Sequence, residues 1–415
     1  MASILGLSLA SAVLARHLEH PGSYKLTFTQ APPGLCGIAT RVDLLEGMAE
    51  HGGSFAGMLG YSPTAPAADP IGRDPCVAVP ASVRDCAERF IYDTPRGVAL
   101  LRAVADRLGP SLAHADAETV AAAALASPGW SRQRLPQVVS LELTPRRAFA
   151  GPITPQGHAR FDRPDLDPDL AARLAAQVAE SPDTCLLLGG PVGGDALLHP
   201  QWDSIATAAH RAGVTSLGIE TDLVCDEATV DRLLDLPVDL VSVRLNADTA
   251  ATYARVMGGD RFGEVIRNLE RLLNERARRR STSGGLPWVL PRMVKTTETL
   301  PELEAFFDKW TYFTGHAVIE PAQCGRGLMP AQSPVPMTPP RRVPCRQLGR
   351  RLTILSDGTV AQCDQDWLGR APLGDAKLAP LLDIAGHAAD VRALHEAGRW
   401  AELTLCGRCA EWHRP

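Results

Sequence analysis

The stretch Leu135-Pro-Gln-Val-Val-Ser-Leu-Glu-Leu-Thr144 opens a regular alternation of apolar runs and helical patterns along the chain. The predicted strands are Val138–Leu143, Cys185–Gly190, Leu217–Thr221, Leu240–Asn246, Val289–Val294 and Ala317–Glu320. Several are apolar throughout, which indicates cover on both faces and a parallel sheet. The helices predicted between them are Asp169–Glu180, Trp202–Ala212, Glu227–Leu236, Thr249–Arg279 and Leu300–Thr314. This order predicts an α/β fold with a curved parallel sheet or partial (β/α)6 barrel.

Three segments of this sheet share one predicted edge, where functional residues of parallel sheets are found. They are Leu135–Thr144, Gly193-Gly194-Asp195-Ala196 after the second strand, and Arg244-Leu-Asn-Ala247 at the end of the fourth. Together they resemble the strand-1 lead, the GGEP element and the SLDA element of the radical S-adenosylmethionine (SAM) superfamily. The resemblance covers roughly residues 135–415. It implies a radical-SAM-like barrel, with Gly193, Gly194, Asp195 and Arg244 at the SAM pocket.

The CxxxCxxC loop that holds the SAM-binding cluster in that superfamily is missing here. No cysteine lies between Cys86 and Cys185. The positions that correspond to the loop's cysteines are occupied by Arg147, Gly151 and Thr154. None of these side chains can supply a thiolate to iron. Asp195 and Arg244 also depart from the superfamily pattern, so the changes converge on one pocket. They predict that SAM cleavage is lost, and they make SAM a doubtful ligand.

The same pocket has a second interpretation. Arg146, Arg147 and Arg244 could converge and bind an anion, because the guanidinium fork suits phosphate or carboxylate. The alternative is that these arginines are solvated or paired with Asp195 and Glu142. Exposed or paired arginine is the more common situation in proteins.

Four cysteines form a spaced set near the C-terminus: Cys345, Cys363, Cys406 and Cys409. A hairpin is predicted between the first two, with strands Leu352–Leu355 and Thr359–Gln362 around a turn, Ser356–Gly358. It can bring Cys345 and Cys363 close together. Beyond it we expect a loop, Gly369–Gly374, and two helices, Leu378–Ile384 and Ala388–Glu396. The Cys406–Cys409 knuckle lets two thiolates share one metal centre.

The spacing Cys-x17-Cys-x42-Cys-x2-Cys resembles the twitch module, the short relative of the SPASM domain. The resemblance implies one auxiliary [4Fe–4S] cluster held by Cys345, Cys363, Cys406 and Cys409. A cluster with four protein thiolates has no open iron site, so it can transfer electrons or stabilise the fold but cannot bind SAM. Zinc is the competing metal, because four-cysteine sites also bind it.

The predicted domain organisation has four parts. Residues 1–134 are helix-rich, with helices at Thr40–His51 and Val98–Leu108, and faintly resemble the later part of a sugar-nucleotide cytidylyltransferase domain. Residues 135–328 form the partial barrel. Residues 329–340 are a linker, and residues 341–415 form the cysteine module.

Composition limits the classes of partner. The net charge of −5 gives no electrostatic case for nucleic-acid binding. No apolar run reaches the roughly 18 residues that a membrane span needs. The apolar segment Met1–Ala15 has no Lys or Arg before its core, unlike a secretory signal. Ten cysteines without regular pairing fit a reducing compartment, so we expect a cytoplasmic protein without nucleic-acid or membrane partners.

The sequence therefore predicts an iron–sulfur protein on a radical SAM scaffold that does not cleave SAM. It would act as a partner, carrier or regulator, beside an active radical SAM enzyme or an electron-transfer protein. The alternatives are a radical SAM/SPASM enzyme with an atypical site and an enzyme that uses the arginine-lined pocket. No residue is assigned a catalytic role.

Overall fold

The chain divides into two compact units, Met1–Arg132 and Gln133–Pro415. The computed structural model describes residues 7–51, 75–84, 86, 88–92, 95–126, 135–190, 193–279, 287–335, 338–345, 347–407 and 409–413. The four-part domain organisation stays a prediction. Its boundary at residue 134 and the last two residues of its final part lie outside the described residues.

The first unit combines helices with a small sheet. Its helices are α1 (Leu7–Glu19), α2 (Val42–His51), α3 (Ala81–Arg84), α4 (Pro95–Leu108) and α5 (Ala117–Leu125). Its strands are β1 (Leu26–Thr29), β2 (Ala39–Thr40) and β3 (Cys76–Val77). Strand β1 lies between the other two, antiparallel to β2 and parallel to β3. Phe90, Leu100 and Val120 are buried in the core of this unit. The two helices predicted here form as α2 and α4.

The second unit is built on a nine-stranded sheet. Its strands are β4 (Val138–Leu141), β5 (Cys185–Leu188), β6 (Leu217–Thr221), β7 (Leu240–Arg244), β8 (Trp288–Lys295), β9 (Val318–Pro321), β10 (Arg351–Ile354), β11 (Thr359–Ala361) and β12 (Pro372–Asp375). Their order is β12-β11-β10-β4-β5-β6-β7-β8-β9. Neighbouring strands from β10 through β4 to β9 are parallel, and β11 and β12 are antiparallel additions. The predicted α/β class with six successive parallel strands is confirmed.

Helices connect the parallel strands. They are α6 (Pro168–Ala179), α7 (Trp202–Arg211), α8 (Glu227–Asp235), α9 (Ala250–Met257), α10 (Phe262–Arg278) and α11 (Leu303–Thr314). Asp167, Asp226 and Thr249 begin α6, α8 and α9, because each side chain accepts a hydrogen bond from a backbone N–H of the first turn. The last helix, α12 (Leu381–Glu396), follows the hairpin.

Three local predictions were wrong. The single helix Thr249–Arg279 is two helices, because Gly258 takes a left-handed φ of 80° and ends α9. The two helices Leu378–Ile384 and Ala388–Glu396 are one helix, α12; Gly386 lies inside it and does not break it. The loop predicted at Gly369–Gly374 contains the start of strand β12, which pairs with β11.

The C-terminal hairpin, β10 and β11, forms as predicted and extends the main sheet. Strand β10 pairs with β4 in parallel over four residues, from Arg351 opposite Val138 to Ile354 opposite Leu141. Ile354 is fully buried in the same apolar core as Leu141. The cysteine-bearing segment therefore shares its hydrophobic core with the parallel strands.

We expect Ile354→Ala to lower the free energy of unfolding of the second unit by about 2–5 kcal/mol, because it leaves a cavity in that shared core. Urea unfolding followed by tryptophan fluorescence measures it, since Trp202, Trp310 and Trp367 lie in this unit. Leu378→Ala is the control: Leu378 is 85% exposed, so a change within about 0.5 kcal/mol is expected. Equal effects of the two substitutions would contradict a shared core.

Candidate functional site

The loops that follow β4 and β5 pack directly against each other at the carboxyl edge of the sheet. A Cβ atom on Gly194 would lie 1.5 Å from the carbonyl oxygen of Thr144, so only glycine fits there. The backbone N–H of Asp195 donates to the carbonyl oxygen of Arg146 at 2.7 Å. The segments 135–144 and 193–196, which were predicted to share one edge of the sheet, are therefore in contact. Gly194 and Asp195 hold the loop that carries Arg146 and Arg147.

Arg147, which is predicted to stand at the position of a cluster cysteine, forms a buried ion pair. Its Nε and Nη2 atoms donate to the two carboxylate oxygens of Asp222, at 2.9 and 2.5 Å. Arg244 reaches the same carboxylate from β7, with Nε 3.0 Å from Oδ1, and its Nη2 donates to the carbonyl oxygen of Gly194 at 3.2 Å. The Asp222 side chain is fully buried, and those of Arg147 and Arg244 are 5% and 10% exposed. We call Arg147, Asp222, Arg244 and Asp195 the buried charge network.

Asp195 completes this network as a hydrogen-bond acceptor. One of its carboxylate oxygens accepts from the Thr221 hydroxyl at 3.1 Å and from the Asp222 N–H at 2.8 Å. The other accepts from the N–H of Leu197 at 3.0 Å and caps a short 3₁₀ turn. The predicted SAM-pocket positions Gly194, Asp195 and Arg244 are thus close together, but their polar groups bind one another.

Burial and neighbouring charges shift the pKa values of the residues in this network. Burial lowers the pKa of Arg147 and the nearby Arg244 lowers it further, while Asp222 opposes both effects. Burial acts to raise the pKa of Asp222, but the two arginines outweigh it and hold that pKa below its usual value. Burial and the charge of Asp222 raise the pKa of Asp195. Asp222 is therefore the counter-ion that keeps the arginines in a buried pocket.

Gly151 and Thr154, the other two residues predicted to stand at cluster-cysteine positions, also contact the rest of the protein. A Cβ on Gly151 would lie 2.2 Å from the backbone carbonyl carbon of Met257, so a larger side chain does not fit without a shift. Thr154 is fully buried, and its hydroxyl donates to the carbonyl oxygen of Gly151 at 2.9 Å. Arg147, Gly151 and Thr154 therefore do not surround a common metal position.

The anion-binding interpretation brings three arginines together, but the structure places one of them elsewhere. Arg146 pairs with Asp165 at 2.6 Å and is half exposed, so it leaves the pocket to Arg147 and Arg244. The arginines also do not form ion pairs with Asp195 and Glu142, the partners that the sequence suggested. Arg147 and Arg244 pair with Asp222, while Glu142 pairs with Arg163 at 2.8 Å.

The third arginine of the pocket is Arg292 on β8, which the sequence argument missed. It pairs with both Glu220 and Glu320. The cavity that Arg147, Arg244 and Arg292 line has a volume of about 70 Å³. Pockets that enclose drug-sized ligands have roughly 300–1,000 Å³. The only sequence signal for Asp222 was its place directly after the third predicted strand, Leu217–Thr221.

The four C-terminal cysteines gather in a separate place. Cys345, Cys363 and Cys409 line one cavity of about 220 Å³, together with Arg326. Cys406 is buried. Negative charge on Cys409 or Cys345 would raise the pKa of Cys406, so Cys406 lies near both. Among the described residues, no three His, Cys, Asp or Glu side chains are arranged to hold a single metal ion.

Three of these sulfur atoms accept hydrogen bonds from nitrogen. Arg326 Nη2 donates to Cys363 at 3.3 Å, Gln362 Nε2 to Cys406 at 3.0 Å, and the backbone N–H of Glu411 to Cys409 at 3.3 Å. Such donors stabilise negative charge on sulfur and tune iron–sulfur clusters. The donor set and the shared cavity fit a thiolate-bound cluster.

Burial opposes thiolate formation at this site. It raises the pKa of Cys345 and Cys406, and it raises the pKa of Cys363 to about 12 although Arg326 lowers it. A bound metal must therefore displace protons from these thiols, which makes metal loading dependent on pH.

Comparison with known proteins identifies this segment. Residues 345–410 match the SPASM family, an iron–sulfur cluster-binding domain, and the match includes all four cysteines. Residues 345–410 form a SPASM domain. This match confirms the predicted resemblance to chains that carry a SPASM/twitch-type module. The matched family is described as binding an iron–sulfur cluster.

Solved structures are similar to about two thirds of the chain. BtrN in complex with AdoMet and 2-DOIA is 13% identical with a TM-score of 0.45, covering 66% of this chain and 93% of BtrN. Streptococcus suis SuiB bound to precursor peptide SuiA is 12% identical with a TM-score of 0.47, covering 65% and 69%. The protein anSMEcpe with bound AdoMet is 11% identical with a TM-score of 0.44, covering 65% and 85%.

A curated relative matches a shorter part of the chain. It is an uncharacterized protein of Treponema pallidum (strain Nichols), 31% identical over 134 residues. The match spans 31% of this chain and 35% of that protein's length.

None of the helices in the described part of the chain is both long and apolar enough to cross a membrane.

We expect Arg147→Met to lower the free energy of unfolding by about 1.5–3 kcal/mol, because it removes two charge-assisted hydrogen bonds to the buried Asp222 carboxylate and leaves it with Arg244 alone. The control is Arg146→Met, which removes a half-exposed ion pair and should cost less than about 1 kcal/mol. Urea unfolding of the two variants and the wild type gives the difference. Similar losses would show that the buried charge network does not support this pocket.

Proposed function

We propose that this chain is an iron–sulfur protein on a radical SAM-type scaffold that does not cleave SAM and serves as a redox partner, carrier or regulator. The observation that carries the proposal is the ion pair of Arg147 with Asp222. It occupies the loop position at which the superfamily has a cluster cysteine, and both charges are buried.

SAM cleavage in the superfamily requires a cluster with one open iron beside the SAM sulfonium. The loop after β4 offers no thiol, since Arg147, Gly151 and Thr154 stand at the three positions. Arg244, which corresponds to a SAM-contacting position, is committed to Asp222 and to the carbonyl oxygen of Gly194. These contacts support a pocket that has been rebuilt for internal pairing.

The SPASM domain supplies the remaining chemistry. Cys345, Cys363, Cys406 and Cys409 would hold one [4Fe–4S] cluster, which when bound exchanges single electrons. Four protein thiolates leave no iron open to substrate. The residues of the chain itself exclude water, since Cys363 and Cys406 are buried, and donate hydrogen bonds to the sulfur atoms. This arrangement favours electron storage or transfer over chemistry on a bound substrate.

An electron taken up by such a cluster needs a second protein as its source or acceptor. We propose that an active radical SAM enzyme or an electron-transfer protein fills that role in the cytoplasm. The alternative of an arginine-lined anion site has weaker support, because Arg147, Arg244 and Arg292 each pair with a carboxylate.

We expect anaerobically reconstituted protein to bind about four iron and four sulfide per chain, as one [4Fe–4S] cluster requires. With dithionite and SAM present, it should form no 5′-deoxyadenosine above the protein-free background. Iron and sulfide analysis and chromatography of the reaction mixture measure both results. A SPASM enzyme that retains CxxxCxxC serves as the positive control. Formation of 5′-deoxyadenosine would overturn the proposal, and zinc without sulfide would assign the site to zinc.

Cysteine substitutions test which residues hold the cluster. Cys363→Ser should lose most of the bound iron, because serine replaces a thiolate ligand at a buried position. Cys36→Ser is the matched control, since Cys36 lies outside the SPASM domain and should keep full iron content. Equal iron in the two variants would remove Cys363 from the ligand set.

A further inference from the structure

A strained loop after β9 delivers one arginine to the cysteine cavity. Gly325, Arg326 and Gly327 have consecutive positive φ angles of 51°, 61° and 84°. Left-handed backbone at a residue other than glycine costs of order 1 kcal/mol and is concentrated at functional sites. A Cβ on Gly325 would lie 2.2 Å from the ring of Trp367, so the loop is also pressed against the SPASM domain.

The guanidinium of Arg326 lies among the thiols. Its Nη2 donates to Cys363 Sγ at 3.3 Å, and its Nη1 donates to the carbonyl oxygen of Leu405 at 2.7 Å. Its Nε is buried and has no hydrogen-bond partner among the described residues. Arg326 lines the same cavity as Cys345, Cys363 and Cys409. A half-buried cation with one unused donor therefore lies beside Cys363, in the cavity that Cys345 and Cys409 also line.

The other nitrogen donors at these sulfurs carry no charge. Gln362 donates an amide N–H to Cys406, and Cys409 accepts from the backbone N–H of Glu411. Among these three contacts, Arg326 alone brings a full positive charge to sulfur. Asp364 and Glu411 line the same cavity as Arg326. Because a cation is costly to remove from water, the position of Arg326 also favours negative charge on the sulfur atoms beside it.

We propose that Arg326 sets the reduction potential of the cluster in the SPASM domain, which rests on the proposed function above. One-electron reduction adds one negative charge to the cluster. A nearby fixed positive charge stabilises the reduced state more than the oxidised state, so it raises the potential. The hydrogen bond to Cys363 acts in the same direction.

The test compares three variants of the reconstituted full-length protein. Arg326→Gln removes the charge, Arg326→Lys keeps it without the planar fork, and Arg399→Gln removes an exposed arginine that pairs with Glu402 on the surface. Iron and sulfide are measured first. A redox titration with dithionite, followed by electron paramagnetic resonance, then gives the ratio of reduced to oxidised cluster.

At the wild-type midpoint, Arg326→Gln should lower that ratio about tenfold, which for one electron is a shift of about 59 mV. Arg326→Lys should recover most of the ratio, and Arg399→Gln should match the wild type. A fully loaded Arg326→Gln protein with an unchanged midpoint overturns the proposal.

Loss of the cluster is also decisive. If Arg326→Gln does not retain iron while Arg326→Lys does, Arg326 acts on cluster binding and not on the reduction potential, and the proposal is overturned. If both variants lose iron, the loop is purely structural and the proposal fails. Wild-type protein without iron and sulfide overturns the proposed function instead, so the two failures are distinguishable.

Discussion

The parallel pairing of β10 with β4 is the constraint on which the second unit depends. It joins the SPASM domain to the six parallel strands through four aligned residue pairs. A slip of one residue would turn Leu352 and Ile354 out of the core, where both are fully buried. Glu142, just beyond β4, accepts from Arg163 and from the backbone N–H of Ser356, which fixes the same register with polar contacts. The buried charge network and the cysteine cavity therefore lie along the same sheet.

The four residues of the buried charge network depend on one another physically. Placing Arg147 in a dry loop requires a buried carboxylate, and Asp222 provides it. Arg244 adds a second cation at the same carboxylate, and Asp195 adds a second carboxylate beside it. Removing Asp222 leaves Arg147 and Arg244 buried without the carboxylate that both contact, which costs several kcal/mol. The two arginines are therefore stable in this pocket because the Asp222 carboxylate is present.

Local sequence pattern was sufficient to predict the elements of the sheet. Apolar runs located the six parallel strands to within a few residues, and the Ser356–Gly358 turn located the hairpin. The pattern was insufficient where a contact joins distant residues. Arg147 and Asp222 are 75 positions apart, and only the sheet order brings them together. Strand β12 was missed because its four residues, two of them Pro372 and Gly374, have a low strand propensity, and pairing with β11 makes them a strand.

The hydrogen-bond donors around the C-terminal cysteines favour the ionised form of their sulfur atoms. A neutral thiol is a weak hydrogen-bond acceptor and gains little from a buried guanidinium. Burial raises the pKa of Cys363 to about 12, so without a metal the thiol stays protonated and Arg326 lacks an anionic partner there. Metal binding removes the thiol protons and so supplies that partner. The positive charge of Arg326 is then attracted to the negatively charged sulfur. Arg326 and the cluster ligands thus stabilise each other. The strain in the Gly325–Gly327 loop is the structural cost of bringing them into contact.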